Sequence, residues 1–130
     1  MQHNIFISHA WKYSDDYNTV LKWLKETPNF DFKNYSVPEH DPVIANNKTK
    51  LKEALCNQIV PAGVVIVISG MYAAYSEWID FEVNAAKEMG KYIIGLKPWG
   101  NERIPKIVTD NADNIVGWNR ESLINAIKYR

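Results

Sequence analysis

Residues 63–69 read GVVIVIS, with five β-branched apolar residues in a row. Side chains of a strand alternate between its two faces, so a run with no polar member has to be covered on both sides. This places 63–69 at the centre of a sheet that carries helices on both faces. Five such residues are far too few to span a bilayer.

The flanking segments fit that requirement. NIFIS (4–8) is a short β-branched and aromatic run, and SDDYNTVLKWLKE (14–26) spaces Tyr17, Val20, Leu21 and Leu24 as one helical stripe. Ser14 is a candidate N-cap with Asp15 and Asp16 in the first turn, and Thr27-Pro28-Asn29 stops the helix. A weaker strand is predicted over FDFKNYSV (30–37), followed by the loop PEHDP (38–42). A second helix is predicted over 47–60, with Leu51, Leu55 and Ile59 on its stripe and Pro61 and Gly63 closing it. After the central strand come a helix over 75–90 with Gly90 as its C′ residue, and a strand KYIIGLKP (91–98). A strand DNIVGW (113–118) and a terminal helix capped by Asn119, with Leu123 and Ile127 inward, complete the chain. Strands and helices alternate throughout. The expected fold is one α/β domain over 1–130 with three layers, a central parallel five-stranded sheet and helices on both faces. Four helices are clear, and 103–110 has room for a short fifth.

The composition supports a packed domain and narrows its partners. Apolar residues make up 46% of 130, and 15 basic residues balance 15 acidic ones. No charge asymmetry points to nucleic acid or to a membrane surface. The lone Cys56 makes no internal disulfide and reads as core filler in a helix; the scattered His3, His9 and His40 form no metal-ligand spacing. The start, MQHNIFISHAWK, lacks the pattern of a signal peptide, so a cytoplasmic protein is expected.

One charge looks misplaced. In YSEWIDFEVNAAKEMG (75–90), at about 100° per residue, Ser76, Glu77, Asp80, Asn84, Lys87 and Glu88 share one side. Trp78, Ile79, Phe81, Val83, Ala85, Ala86 and Met89 share the other, and Glu82 falls within that apolar arc one turn after Trp78. Ligands of a parallel sheet bind beyond the carboxyl ends of its strands, here near Ser8 to Trp11 and Ser69 to Ser76. The usual occupants of such folds are excluded by the turns. The first turn, SHAWKYS, has no glycine for a dinucleotide or a phosphate, and there is no P-loop and no Gly-x-Ser-x-Gly elbow. No Asp follows the central strand to accept a phosphoryl group.

Two segments together resemble a known family. IFISHAW (5–11) is similar to the first box of TIR domains, and Ser69-x-x-Tyr72-x-x-x-Ser76-x-Trp78-x-x-x-Glu82 resembles their third-helix motif. The opening FISHAWKYSDDY is similar to the TIR-like proteins of the bacterial Thoeris antiphage system. The chain departs from the common TIR pattern at Ile79, where many members have Cys, and at Ala10, where several catalytic members have Arg. The resemblance implies a flavodoxin-like (TIR) fold. It also implies an enzyme that takes NAD+ as substrate, with no other cofactor and no metal, and releases nicotinamide to form a cyclic ADP-ribose-type signal for a separate effector protein. It allows for a phage-derived activator and for a homo-oligomer that completes the site.

On that reading Glu82 is the catalytic carboxylate. Ser8, His9, Trp11, Tyr72, Ser76 and Trp78 line the substrate site, and His40 gates it or meets a neighbouring subunit. Each has a plainer alternative: a structural carboxylate for Glu82, core packing for Trp78, a loop contact for Ser8. Two other functions stay open, a non-catalytic adaptor acting by homotypic association and a nucleoside deoxyribosyltransferase-like enzyme.

Overall fold

The computed structural model describes residues 2–8, 15–36, 48–69, 72–97 and 103–130, with the side chains of 48–51 and 72–76 left aside. Five strands, β1 (Gln2–Ser8), β2 (Asp31–Asn34), β3 (Val64–Ile68), β4 (Tyr92–Leu96) and β5 (Asn114–Val116), form one sheet. Their order is β2-β1-β3-β4-β5, and each neighbouring pair is parallel. The helices are α1 (Asp15–Glu26), α2 (Lys48–Ile59), α3 (Tyr72–Glu88), α4 (Lys106–Asn111) and α5 (Arg120–Lys128). This is the flavodoxin-like order, in which the chain winds outward in both directions from a switch between β1 and β3.

Strand alternation divides the interior into two cores. Ile5 and Ile7 of β1, with Val64, Ile66 and Ile68 of β3, pack under Tyr17, Val20 and Leu24 of α1 and Leu123 and Ile127 of α5. Phe6, Val65, Val67 and Ile93 face the other way, onto Leu55 and Ile59 of α2, Trp78, Ile79 and Val83 of α3, and Val108 of α4. All five residues of β3 are buried, as its apolar run requires.

Several boundaries differ from the sequence reading. The helix read as 75–90 begins at Tyr72, so Glu82 sits in mid-helix rather than near its start. Gly90 ends it with φ 70°, the left-handed turn expected of a C′ glycine. The strand read as 30–37 stops at Asn34. There Asn34 Oδ1 accepts from the Ser36 amide at 2.9 Å, a side-chain turn that competes with the ladder. The edge of β1 is still satisfied: Tyr35 N donates to Ile5 O at 2.8 Å, and Ile7 N donates to Ser36 Oγ at 2.7 Å. The strand read as 113–118 pairs only over Asn114–Val116. The short fifth helix is present as α4, and Asn119 caps α5 by accepting from the Ser122 amide.

A candidate carboxylate site at the switch point

Parallel strands pointing the same way leave a crevice where the connections from β1 and β3 depart to opposite faces. Ser8 ends β1 opposite Val67, and Ser69 follows the last residue of β3, so two hydroxyls flank that crevice. Ser8 is fully buried and Ser69 is 3% exposed. Glu82, on the α3 face that packs against Phe6 and Val67, is 1% exposed.

These three polar groups share a second property. Neither oxygen of the Glu82 carboxyl, nor Ser8 Oγ, nor Ser69 Oγ has a hydrogen-bond partner of normal geometry among the described residues. Buried polar atoms are almost always bonded, so an unbonded group in a native fold needs an explanation. Burial pushes the Glu82 pKa well above the ordinary glutamate range, and the nearby Ser8 hydroxyl opposes the shift by favouring the charged form. Ser8 therefore acts on the carboxyl electrostatically while falling short of a well-formed hydrogen bond. A buried carboxyl of this kind can donate its proton or, once ionised, stabilise a cation that enters the crevice.

The other sequence-predicted residues separate into three groups. Trp78 is buried one turn before Glu82, with its ring edge-on to Phe81 at 6.5 Å, so most of its surface belongs to the second core. Tyr72 and Ser76 lie on α3, but their side chains fall outside the described residues, as do His9, Trp11 and His40 entirely. Cys56 is half-buried against the second core, and burial raises its thiol pKa, with Glu88 adding to the effect. No cluster of three or more metal-ligating side chains occurs among the described residues. No described helix is long and apolar enough to cross a membrane.

Two further residues at the strand ends had no role in the sequence reading. Ser69 heads the third-helix motif but does not appear among the expected site residues; its signal was a hydroxyl immediately after a wholly apolar strand. Ser36, with Asn34 behind it, replaces a missing strand partner and so fixes the β1 exit that carries Ser8. Asn34 Nδ2 donates in turn to Tyr17 Oη at 2.9 Å, tying this corner to α1. No sequence pattern announces such a substitution of side chain for ladder.

The sheet order defines a flavodoxin-like α/β domain, with a buried carboxyl under the switch point between β1 and β3. The family described as "Thoeris protein ThsB, TIR-like domain" matches residues 6–103, and the chain belongs to that family. None of the curated proteins matches it in sequence. Among solved structures it is similar to a 2-deoxyribosyltransferase from the psychrotolerant bacterium Bacillus psychrosaccharolyticus. That likeness has a TM-score of 0.65 at 15% identity, covering 94% of this chain and 90% of the other, and it concerns the fold.

Proposed function

We propose that this domain cleaves the bond between nicotinamide and ribose in NAD+ and forms a cyclic ADP-ribose-type signal in antiphage defence, with Glu82 as the catalytic carboxylate. The observation that carries the reading is the buried, unbonded Glu82 carboxyl at the β1/β3 crevice. Membership of the Thoeris TIR-like family supports it.

The chemistry asks for little more than this. As the C1′–N bond breaks, its electron pair leaves with nicotinamide, which departs neutral, so no strong general acid is required. Positive charge develops on the ribose, and a carboxylate beside it stabilises that charge. Burial favours the neutral carboxyl, and the cationic nicotinamide ring of the substrate favours the ionised form. Water attacking C1′ gives ADP-ribose and one proton. A ring nitrogen of the adenine or a ribose hydroxyl of the same molecule, attacking C1′ in place of water, gives a cyclic product and likewise one proton, and exclusion of water selects it. Ser8 binds ribose hydroxyls from the β1 side. His9, Trp11, Tyr72, Ser76 and His40 complete the enclosure, and Trp78 backs Glu82 from the core. The product acts on a separate effector protein, and a phage-derived component or self-association switches the enzyme on.

Purified protein is incubated with NAD+, alone, with infected-cell extract, and with enforced oligomerisation, while nicotinamide and nucleotide products are followed. Wild type releases nicotinamide under at least one condition. Glu82→Gln loses about 100-fold or more of that rate, the scale of one electrostatic group. Equal release by the variant removes Glu82 from the mechanism. The likeness to a 2-deoxyribosyltransferase supports a second reading, transfer of a deoxyribosyl group between bases. Base exchange on a 2′-deoxynucleoside, with no nicotinamide release, would select it. Absence of both activities in every condition would leave the adaptor reading.

A further inference from the structure

Glu82 has two unbonded oxygens and one hydroxyl, that of Ser8, acting on it, and a further buried hydroxyl of the same strand ends is also unbonded. That further hydroxyl belongs to Ser69. Phe6 on β1 and Val65 and Val67 on β3 face α3, and continuing that alternation puts Ser8 and Ser69 on the same side. Ser8 pairs with Val67, so Ser69 lies one strand across and two residues further along. Strand spacings put the two Cα atoms roughly 8 Å apart, a gap that a carboxyl group can bridge with one hydroxyl at each end.

The count of donors and acceptors fits the ionised form of Glu82. A carboxylate only accepts, whereas a serine hydroxyl offers one donor and two lone pairs. Two hydroxyls supply one donor to each carboxylate oxygen and keep their lone pairs for the hydroxyl protons of a sugar. A neutral carboxyl, with its own proton to place, does not need both. Three orphaned groups within one crevice thus become mutually satisfied when the carboxyl ionises. Among the described residues no charged group substitutes for them. Glu82 is shifted by burial and Ser8 alone. Lys52, on the adjoining α2, lies over the Phe81 ring at 5.3 Å. On α3, Glu77 and Lys87 are exposed.

We infer that Ser69 is a positioning residue of this site: its hydroxyl and that of Ser8 each donate to one oxygen of the ionised Glu82, holding the carboxylate towards the ribose. The inference deepens the NAD+-cleaving reading and rests on it for its kinetic consequence, while its structural content can be tested without substrate.

The test is a carbon-13 NMR titration of the Glu82 side-chain carboxyl in the whole chain, for wild type, Ser8→Ala, Ser69→Ala and Ser69→Thr. Losing a donor to the charged form moves the titration to higher pH. Ser69→Ala and Ser8→Ala should both titrate Glu82 above wild type, and Ser69→Thr, which keeps the hydroxyl, should return towards it. With NAD+, Ser69→Ala should lower kcat about tenfold or more, the scale of a hydrogen bond to a charged group. KM should stay nearly unchanged, and the acid limb of the kcat profile should move up in pH with the titration. A Glu82 titration in Ser69→Ala that superimposes on wild type overturns the inference, even if the variant melts lower, because a merely structural hydroxyl would affect stability alone. Failure of every variant and of wild type to release nicotinamide sinks the NAD+ reading instead, and the titration still decides the role of Ser69.

Discussion

A carboxyl group buried without bonds favours its proton, and that preference is a term in folding stability as well as in chemistry. The unfolded chain ionises Glu82 at the ordinary value of 4.5, while burial raises the folded value well above it. The folded state therefore binds the proton more tightly. Its contribution to stability is complete below pH 4.5 and is lost as pH rises through the folded pKa. Glu82→Gln cannot ionise and escapes that loss. It should melt with a nearly constant offset from wild type in acid and gain on it steadily towards alkaline pH. The gain should build between pH 4.5 and the raised folded pKa and level off above it. Parallel thermal melts across pH check this, and identical pH profiles for the two proteins would show that Glu82 is bonded and not desolvated. A residue that makes its own fold less stable is expected where binding, rather than packing, set the choice.

Elements explain what was legible in the sequence and what was hidden. The periodicity of α1, α3 and α5 and the apolar run of β3 carried most of the fold, because each buries one continuous face or both. Glu82 stood out for the same reason, as a charge inside an otherwise apolar arc. Boundaries set by side-chain bonds escaped, since Asn34 and Ser36 end β2 through contacts with α1 and β1 that no local pattern encodes. The sequence places Ser69 at the ligand end of the sheet but assigns it no role, because a lone serine after a strand is common and only its burial without a partner distinguishes it. Packing of α4 was equally invisible. It approaches β4 so closely that a Cβ at Gly95 would lie 2.5 Å from Val108 Cγ1. Gly95→Ala should consequently force α4 away from the sheet and destabilise the domain by about 1–3 kcal/mol. Urea unfolding reads that loss directly, and Val108→Ala in the same chain should restore part of it by removing the obstructing methyls. An unchanged midpoint for Gly95→Ala would mean that α4 is not seated as closely as described.

At the scale of the whole molecule, the far end of the sheet from the site is held by a different cluster. His3 is buried, stacks on Phe30 with ring centroids 5.0 Å apart, and meets Arg130 Nη1 through Nδ1 at 3.1 Å. The same guanidinium nitrogen donates to Ile127 O, which anchors the end of α5. Because a guanidinium only donates, His3 Nδ1 is the acceptor in this contact and the ring is neutral. Burial, then Arg130 and Lys128, lowers the His3 pKa from 6.5. Here the unfolded chain binds the proton more tightly, so the stabilisation is complete above pH 6.5 and fades as pH falls through that value towards the folded pKa. Wild type should thus lose thermal stability on acidification from pH 7 in a way that His3→Phe, which keeps a stacked ring and cannot titrate, does not. Superimposable profiles for the two would show that His3 is free to charge in the fold.

That contact joins residues 127 positions apart. The first strand and the end of the last helix therefore meet in space, and a bridge of a few residues would close the described chain into a ring without disturbing either core. His3 and Ser8 lie on one strand, roughly 16 Å apart along it, so anything joined or fused at the Arg130 edge stands a full sheet length from the crevice over Glu82. The Arg130 edge and the crevice over Glu82 thus lie on opposite rims, which makes the former a suitable place for a reporter, a tether or an imposed oligomer.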